Sequence, residues 1–319
     1  MPVNPLDFQP QNDCVPVVYV SRVTIAGIAS HATAGRSLFV AALQTAGVPG
    51  DPAATLGQLE RSVRALRATF DGLQLVLAPE LHLMALPPLL EEDDGATPQD
   101  LAIEVPGELT ERLGALARET ELWLVPGSIY ERVGDAVANT ALVLSPSGDL
   151  VASYRKCFPW QPYETTQPGT STVCFDIDGI GRFGIAICHD GAFPEIFRSL
   201  AWQGAEAIFQ VTLTGTSDRE AETVIARANA IVNQVAVVNV NAAAPVGNGR
   251  SLVIDPEGAV RYEAGVGEEV LTAVLDLDQV QRVRERGSFG INRLWEEMDR
   301  VGPGLDLPLY GGPYRPRPR

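Results

Sequence analysis

Three features of the chain predict one α/β (α+β) domain with helices layered on sheet. Strand-like and helix-like segments alternate along it, the apolar runs are short and end at Gly, Pro or Asp turns, and no linker-like stretch divides its 319 residues. A core over about residues 15–290 is expected within a single domain of 1–319, ending in an irregular Gly/Pro-rich extension. Val15 to Ile28 holds β-branched strand segments, followed by a small-residue region. Asp51-Pro52 reads as an N-cap with proline in the first turn, opening a helix whose Leu56, Leu59, Val63, Leu66 and Phe70 share a face. Leu73–Ala78 is a short apolar strand ended by Pro79-Glu80, and Glu91–Asp94 an acidic surface loop. A second helix fits Gly107–Thr120, with strands near Trp123–Tyr130, Asn139–Leu144 and Val151–Tyr154, the last two joined at Ser145-Pro-Ser-Gly148. Strands bracket Asp178–Gly181, and Phe183–Cys188 leads to a helix from Pro194 that stops at Gly204. After a strand at Ala207–Leu213, Ser217-Asp-Arg-Glu220 has the spacing of a capping box for a helix to Asn233. Strands at Val235–Val240, Ser251–Ile254, Val260–Tyr262 and Val270–Leu275 and a helix at Asp278–Arg286 complete the pattern.

Composition narrows the function. The net charge of −16 repels a phosphate backbone, so no nucleic-acid partner is expected. No apolar stretch approaches the ~20 residues of a membrane span, and no basic leader precedes Asp7 and Asp13, so a cytoplasmic location is expected. Cys14, Cys157, Cys174 and Cys188 form no CxxC and do not pair with the histidines, which argues against a metal site or disulfide framework. Lys156 is the single lysine among 24 basic residues. A lysine kept where arginine is otherwise used suggests a site needing a compact ammonium on a thin stem.

Several motifs carry no chemistry on this reading. Gly179-Ile-Gly-Arg-Phe-Gly184 spells a dinucleotide fingerprint, but a strand follows it where a helix N-terminus is required. Ser217 reads as a cap, His31 has no partner, and His82 fits a core or a supporting role. Glu80, Lys156 and Cys188, by contrast, each follow a predicted strand. Together they supply a proton acceptor, an oxyanion-stabilising charge and a nucleophile. A thiol beside an ammonium and ahead of a helix is expected to have a lowered pKa.

The segments around these three residues resemble the nitrilase superfamily of carbon–nitrogen hydrolases, in its aliphatic amidase and formamidase branch. Leu77-Ala-Pro-Glu80 resembles the general-base segment, Tyr154-Arg-Lys-Cys-Phe-Pro-Trp160 the lysine motif, and Ile187-Cys-His-Asp-Gly-Ala-Phe-Pro-Glu195 the nucleophile elbow, with Gly204-Ala-Glu206 after it. Pro159-Trp-Gln-Pro-Tyr-Glu-Thr-Thr-Gln-Pro-Gly169 is similar to the loop that carries a second glutamate, here Glu164. Arg227-Ala-Asn229, Asn239 and Gly249–Gly258 fit the downstream framework.

The resemblance implies an α-β-β-α sandwich that assembles into dimers or larger homo-oligomers, and an amidase with no cofactor and no metal. By it Cys188 attacks a small-molecule amide, Glu80 moves the protons, and Lys156 with the backbone N–H of His189 holds the oxyanion. Glu164 positions the substrate, and a thioester is hydrolysed to release acid after ammonia. The same catalytic set also serves nitrile or carbamoyl hydrolysis and acyl transfer. The chain departs from the branch at His189, where Asp is usual, at Thr165-Thr166, and at Thr212-Leu-Thr-Gly215. These departures reshape the acyl pocket, which His189, Trp160, Tyr163 and Leu213 are expected to line.

Overall fold

The computed structural model describes residues 35–86 and 96–307. The expected strands at Val15–Ile28, the acidic loop Glu91–Asp94, His31 and Cys14 lie outside them. Thirteen strands occur among the described residues: β1 Ser37–Gln44, β2 Leu75–Leu77, β3 Trp123–Val125, β4 Ser128–Val133, β5 Ala136–Leu144, β6 Leu150–Arg155, β7 Val173–Ile177, β8 Gly181–Ile187, β9 Ala207–Thr212, β10 Ala236–Asn241, β11 Leu252–Ile254, β12 Val260–Glu263 and β13 Glu269–Asp276. The helices are α1 Pro52–Thr69, α2 Pro98–Leu101, α3 Glu108–Thr120, α4 Pro194–Trp202, α5 Arg219–Asn233, α6 Leu277–Arg286 and α7 Leu294–Val301.

The strands form two sheets. One runs β13-β1-β2-β3-β5-β4 with β6 paired to β5, and the other runs β12-β11-β10-β9-β8-β7. Each has a parallel centre, β1-β2-β3 in the first and β8-β9-β10 in the second, and helices cross between those strands. Alternation along the central strands sorts side chains into layers. Val40, Leu75, Leu77 and Val143 of the first sheet meet Ile185, Ile187, Phe209, Val211 and Val238 of the second in a shared inter-sheet core. On the outer face of the first sheet, Ala41, Leu43 and Val76 pack under Leu59, Val63, Leu113 and Leu116 of α1 and α3. On the outer face of the second, Ala186, Ile208 and Val237 pack under Phe197, Leu200, Ala226 and Ala230 of α4 and α5. The molecule is therefore the expected α-β-β-α sandwich. Each large apolar side chain buried in these layers stabilises it by about 1.5–3 kcal/mol.

Local chemistry sets most of the boundaries. Asp51 caps α1 by accepting from the Ala54 N–H at 2.8 Å, with Pro52 in the first turn. The Asp178–Ile180 stretch is a hairpin turn between antiparallel β7 and β8, as the nucleotide motif's context required. Four expectations are corrected. β1 occupies the supposed small-residue region; it is buried on both faces and so lacks the polar alternation that marks a strand. The Trp123–Tyr130 run is split into β3 and β4 at Pro126-Gly127. Asp218 is the N-cap of α5 without a side-chain bond; its carboxylate instead accepts from the Thr216 hydroxyl, so Ser217 and Glu220 form no capping box. Finally, α7 lies in the supposed irregular extension, held by fully buried Trp295, whose Nε1 donates to Asn233 O at 3.1 Å.

Gly127 is required where it stands. It has φ +87°, and a Cβ there would sit 1.8 Å from the carbonyl oxygen of Pro79, the residue before Glu80. Gly127→Ala is expected to lose at least about 2 kcal/mol of folding stability in chemical denaturation. Gly134→Ala, at φ +60° in open space, should lose only about 1 kcal/mol. Equal losses would contradict the close-approach explanation.

Candidate active site

Three strand ends converge. Glu80 lies just beyond β2; its N–H donates to Thr212 O at 3.3 Å, and the Leu81 N–H donates to Ser128 Oγ at 3.0 Å. Lys156 follows β6, its N–H donating to Asn139 O and its carbonyl accepting from the Gly169 N–H, both at 2.8 Å. Cys188 follows β8 with φ +44° and opens a 3₁₀ turn, Cys188–Ala192. A left-handed cysteine costs roughly 1–3 kcal/mol and persists only where its surroundings fix it. Here Gln210 Nε2 donates to Cys188 O at 2.9 Å, and Asn229 Nδ2 to Gly191 O at 2.9 Å. The Asp190 carboxylate accepts from Ile187 N (3.0 Å), Phe158 N (2.9 Å) and the Tyr154 hydroxyl (2.8 Å). Asp190 thus ties the elbow of the second sheet to the lysine strand of the first.

The side chains interlock around Lys156, which is 2% exposed. Its Nζ donates to Glu80 Oε1 at 2.9 Å and to Glu164 Oε2 at 2.6 Å. Asn139 Nδ2 donates to the same two carboxylates, at 2.8 Å to Glu80 Oε1 and 2.9 Å to Glu164 Oε1. Glu164 also accepts from the Trp160 N–H at 3.0 Å and the Thr166 hydroxyl at 3.1 Å. Cys188 completes the group, its thiol lying within electrostatic reach of both the Glu80 carboxylate and the Lys156 ammonium.

Electrostatics assigns the protons. Burial raises the Glu80 pKa, Lys156 opposes that and Glu164 adds to it, leaving Glu80 above the ordinary carboxylate range. Burial also pushes Glu164 upward, but Lys156 and its hydrogen bonds outweigh this and hold it below the usual range. Lys156 is held charged, its desolvation outweighed by Glu80, Cys188 and Glu164. The expected lowered thiol pKa is corrected: burial and the Glu80 charge push Cys188 well up, against the pull of Lys156. One ammonium already serves two carboxylates, so a thiolate would add an unpaired second negative charge. The resting site holds a thiol, and it ionises only by handing its proton to Glu80.

The remaining expected residues occupy different depths. Leu213 lines a small cavity beside Glu80. Half-buried Trp160 stacks tilted on Tyr163 with centroids 4.6 Å apart, and Tyr163, 73% exposed, forms the rim. His189 is half-buried with its ring edge-on to Phe193 at 5.2 Å, and burial with Lys156 nearby lowers its pKa. Sequence reasoning missed Asn139, Asp190 and Thr214, which touch or fix the catalytic groups. The available signal for Asn139 was the polar pair Asn139-Thr140 inside the otherwise apolar run of β5. Among the described residues no cluster of three metal-ligating side chains occurs, and no helix is long and apolar enough to cross a membrane.

Asn139→Leu removes one donor from each carboxylate. A fall of about 10- to 100-fold in kcat/KM is expected, with the acid limb of its pH profile moved upward because both carboxylates become easier to protonate. His82 is buried and neutral, its pKa lowered by burial to about 4. The unfolded chain binds that proton from about pH 6.5, so His82 should make stability fall by about 3 kcal/mol as pH drops from 6.5 toward 4. Denaturation of His82→Phe across this window should lack that component.

Residues 39–285 match the carbon-nitrogen hydrolase family. A formamidase from Bacillus thuringiensis (strain Al Hakam) is 30% identical over 189 residues, covering 58% of this chain and 55% of that protein. The chain thus spans about half the length of the curated relatives it matches. A nitrilase-superfamily protein of branch 10 from Saccharomyces cerevisiae superposes with a TM-score of 0.69 at 26% identity, over 78% of this chain and 94% of that one. An amidase from Nesterenkonia sp. AN1, solved as a mutant in complex with butyramide, superposes with a TM-score of 0.66 at 25% identity, over 79% and 95%. The sandwich agrees with these matches: the chain belongs to the carbon-nitrogen hydrolase family, in the amidase-like branch of the nitrilase superfamily.

Proposed function

We propose that the protein hydrolyses a small-molecule carboxamide to a carboxylic acid and ammonia through a thioester on Cys188. The observation that carries this reading is the buried Lys156 ammonium bonded to both Glu80 and Glu164, with the charges of Glu80 and Lys156 both acting on the Cys188 thiol. Glu80 takes the thiol proton as sulfur attacks the amide carbon, so the negative charge moves between two adjacent groups and the net charge of the site stays constant. Lys156 and the backbone N–H of His189 stabilise the tetrahedral oxyanion. Glu80 then returns the proton to the amide nitrogen, the C–N bond breaks and ammonia leaves. Water, deprotonated by Glu80, attacks the thioester, and the acid departs as the thiol is restored. A carboxyl raised by burial suits both directions of transfer.

Glu164 and Asn139 serve differently. Held charged by Lys156, Glu164 is a poor proton carrier and a good acceptor for an amide N–H. The formamidase relatives and the butyramide-bound amidase support a primary carboxamide as substrate. Trp160, Tyr163, His189 and Leu213 shape the acyl side. Assembly into a dimer or larger homo-oligomer belongs to the same reading; Val224, Ile231 and Val232 of α5 are exposed apolar side chains available for it.

Intact mass spectrometry after mixing the protein with a panel of aliphatic amides should show an acyl adduct and stoichiometric ammonia. Cys188→Ala should show neither, with turnover reduced by at least about 10⁴-fold. An adduct that transfers to added amines without producing acid would replace hydrolysis by acyl transfer. No adduct with any amide, alongside turnover of nitriles, would overturn the amide assignment.

A further inference from the structure

A second polar chain reaches Cys188 through Thr214. The Thr214 hydroxyl lies 3.8 Å from Cys188 Sγ and 2.7 Å from Glu222 Oε2 on α5. Glu222 Oε2 is in turn 2.8 Å from Nη1 of Arg219, a guanidinium only 2% exposed. The other nitrogens of Arg219 are committed to Gly249 O (3.0 Å), Arg250 O (2.7 Å) and Asn239 Oδ1 (2.6 Å), so the ion pair has no room to drift. The backbone of Thr214 is clamped as well. Its N–H donates to Asn241 Oδ1 at 2.8 Å, and its carbonyl accepts from Asn241 Nδ2 at 3.0 Å.

A hydroxyl has one proton and two lone pairs. At 2.7 Å a carboxylate acceptor holds that proton in a charge-assisted bond. Toward the sulfur, Thr214 therefore presents lone pairs only. Around a carbonyl carbon attacked by Cys188, the oxygen gathers negative charge and needs donors, which Lys156 supplies. An acceptor fixed near the sulfur repels that oxygen and fits a hydrogen-bearing nitrogen. An ester's alkoxy oxygen has no hydrogen to offer there, so it meets lone pair with lone pair. Were the hydroxyl free to turn, it would donate to the alkoxy oxygen and accept from the amide equally well.

We infer that Thr214, locked as an acceptor by Glu222 and Arg219, is a specificity-determining residue that selects an amide N–H over an ester oxygen at the leaving-group position. Glu222 and Arg219 are positioning residues, since they act through Thr214. The assignment rests on the amidase reading above and deepens it.

Matched amides and methyl esters from formyl to butyryl test it with the full-length protein. Both members of a pair give the same acyl-enzyme, so their kcat/KM ratio isolates acylation. Thr214→Val keeps the shape and removes the oxygen; the amide-to-ester ratio should fall about 10- to 100-fold, mainly through the amide. Thr214→Ser should keep the ratio near that of the unaltered protein. Glu222→Gln, which offers Thr214 a donor and frees its proton, should lower the ratio by raising ester turnover. Equal losses on amide and ester in Thr214→Val, or a ratio unchanged within twofold, would overturn the assignment while acyl-enzyme formation leaves the amidase reading intact. Failure of every amide and every ester to acylate Cys188 would overturn both.

Discussion

The catalytic centre depends on a lysine ammonium withdrawn from water and shared between two carboxylates. Removing such a charge from solvent costs several kcal/mol, and only close, well-aligned partners offset it. Glu80 and Glu164 are those partners, at 2.9 and 2.6 Å. The arrangement fixes the other groups in turn. Two carboxylates and one ammonium leave a single negative charge, which burial keeps from becoming two. Cys188 must therefore rest as a thiol, and its ionisation is coupled to protonation of Glu80. On the proposed mechanism, nucleophile activation and base protonation are one event because the site can hold only that much charge.

Geometry delivers this through strand ends. β2 and β8 are parallel strands in different sheets, and their C-terminal ends bring carboxylate and sulfur to a common rim. β6 supplies the lysine from the far side of the first sheet. Trp123 of the first sheet meets Phe175 of the second with ring centroids 5.8 Å apart, and the aliphatic layer around them fills the space between the sheets. Asp190 then pins the elbow directly to Tyr154 and Phe158.

Glu80, Lys156 and Cys188 were legible in sequence because each follows a predicted strand, and because a single lysine among arginines is conspicuous. Glu164 was legible only through likeness to related loops. Asn139 was not, since a polar residue inside a strand looks like an interruption; its partners lie 59 and 25 residues away and are chosen by sheet pairing. Glu222 stayed hidden because a carboxylate in the first turn of a helix reads as a solvated charge, and Thr214 entered only as part of the departure at Thr212-Leu-Thr-Gly215. The protonation state of Cys188 escaped because sequence shows a turn after a strand but not how deeply the turn is buried. β1 escaped because burial on both faces erases alternation, and α7 because one anchoring tryptophan was obscured by a Gly/Pro-rich neighbourhood.

The split origin of the catalytic groups has a consequence for how such a molecule acquires chemistry. Base and ammonium belong to one layer, nucleophile to the other, and neither layer alone contains a competent fragment of the machinery. The half-buried thiol and its proton acceptor come from different layers, so the sulfur has its activator only once the layers close.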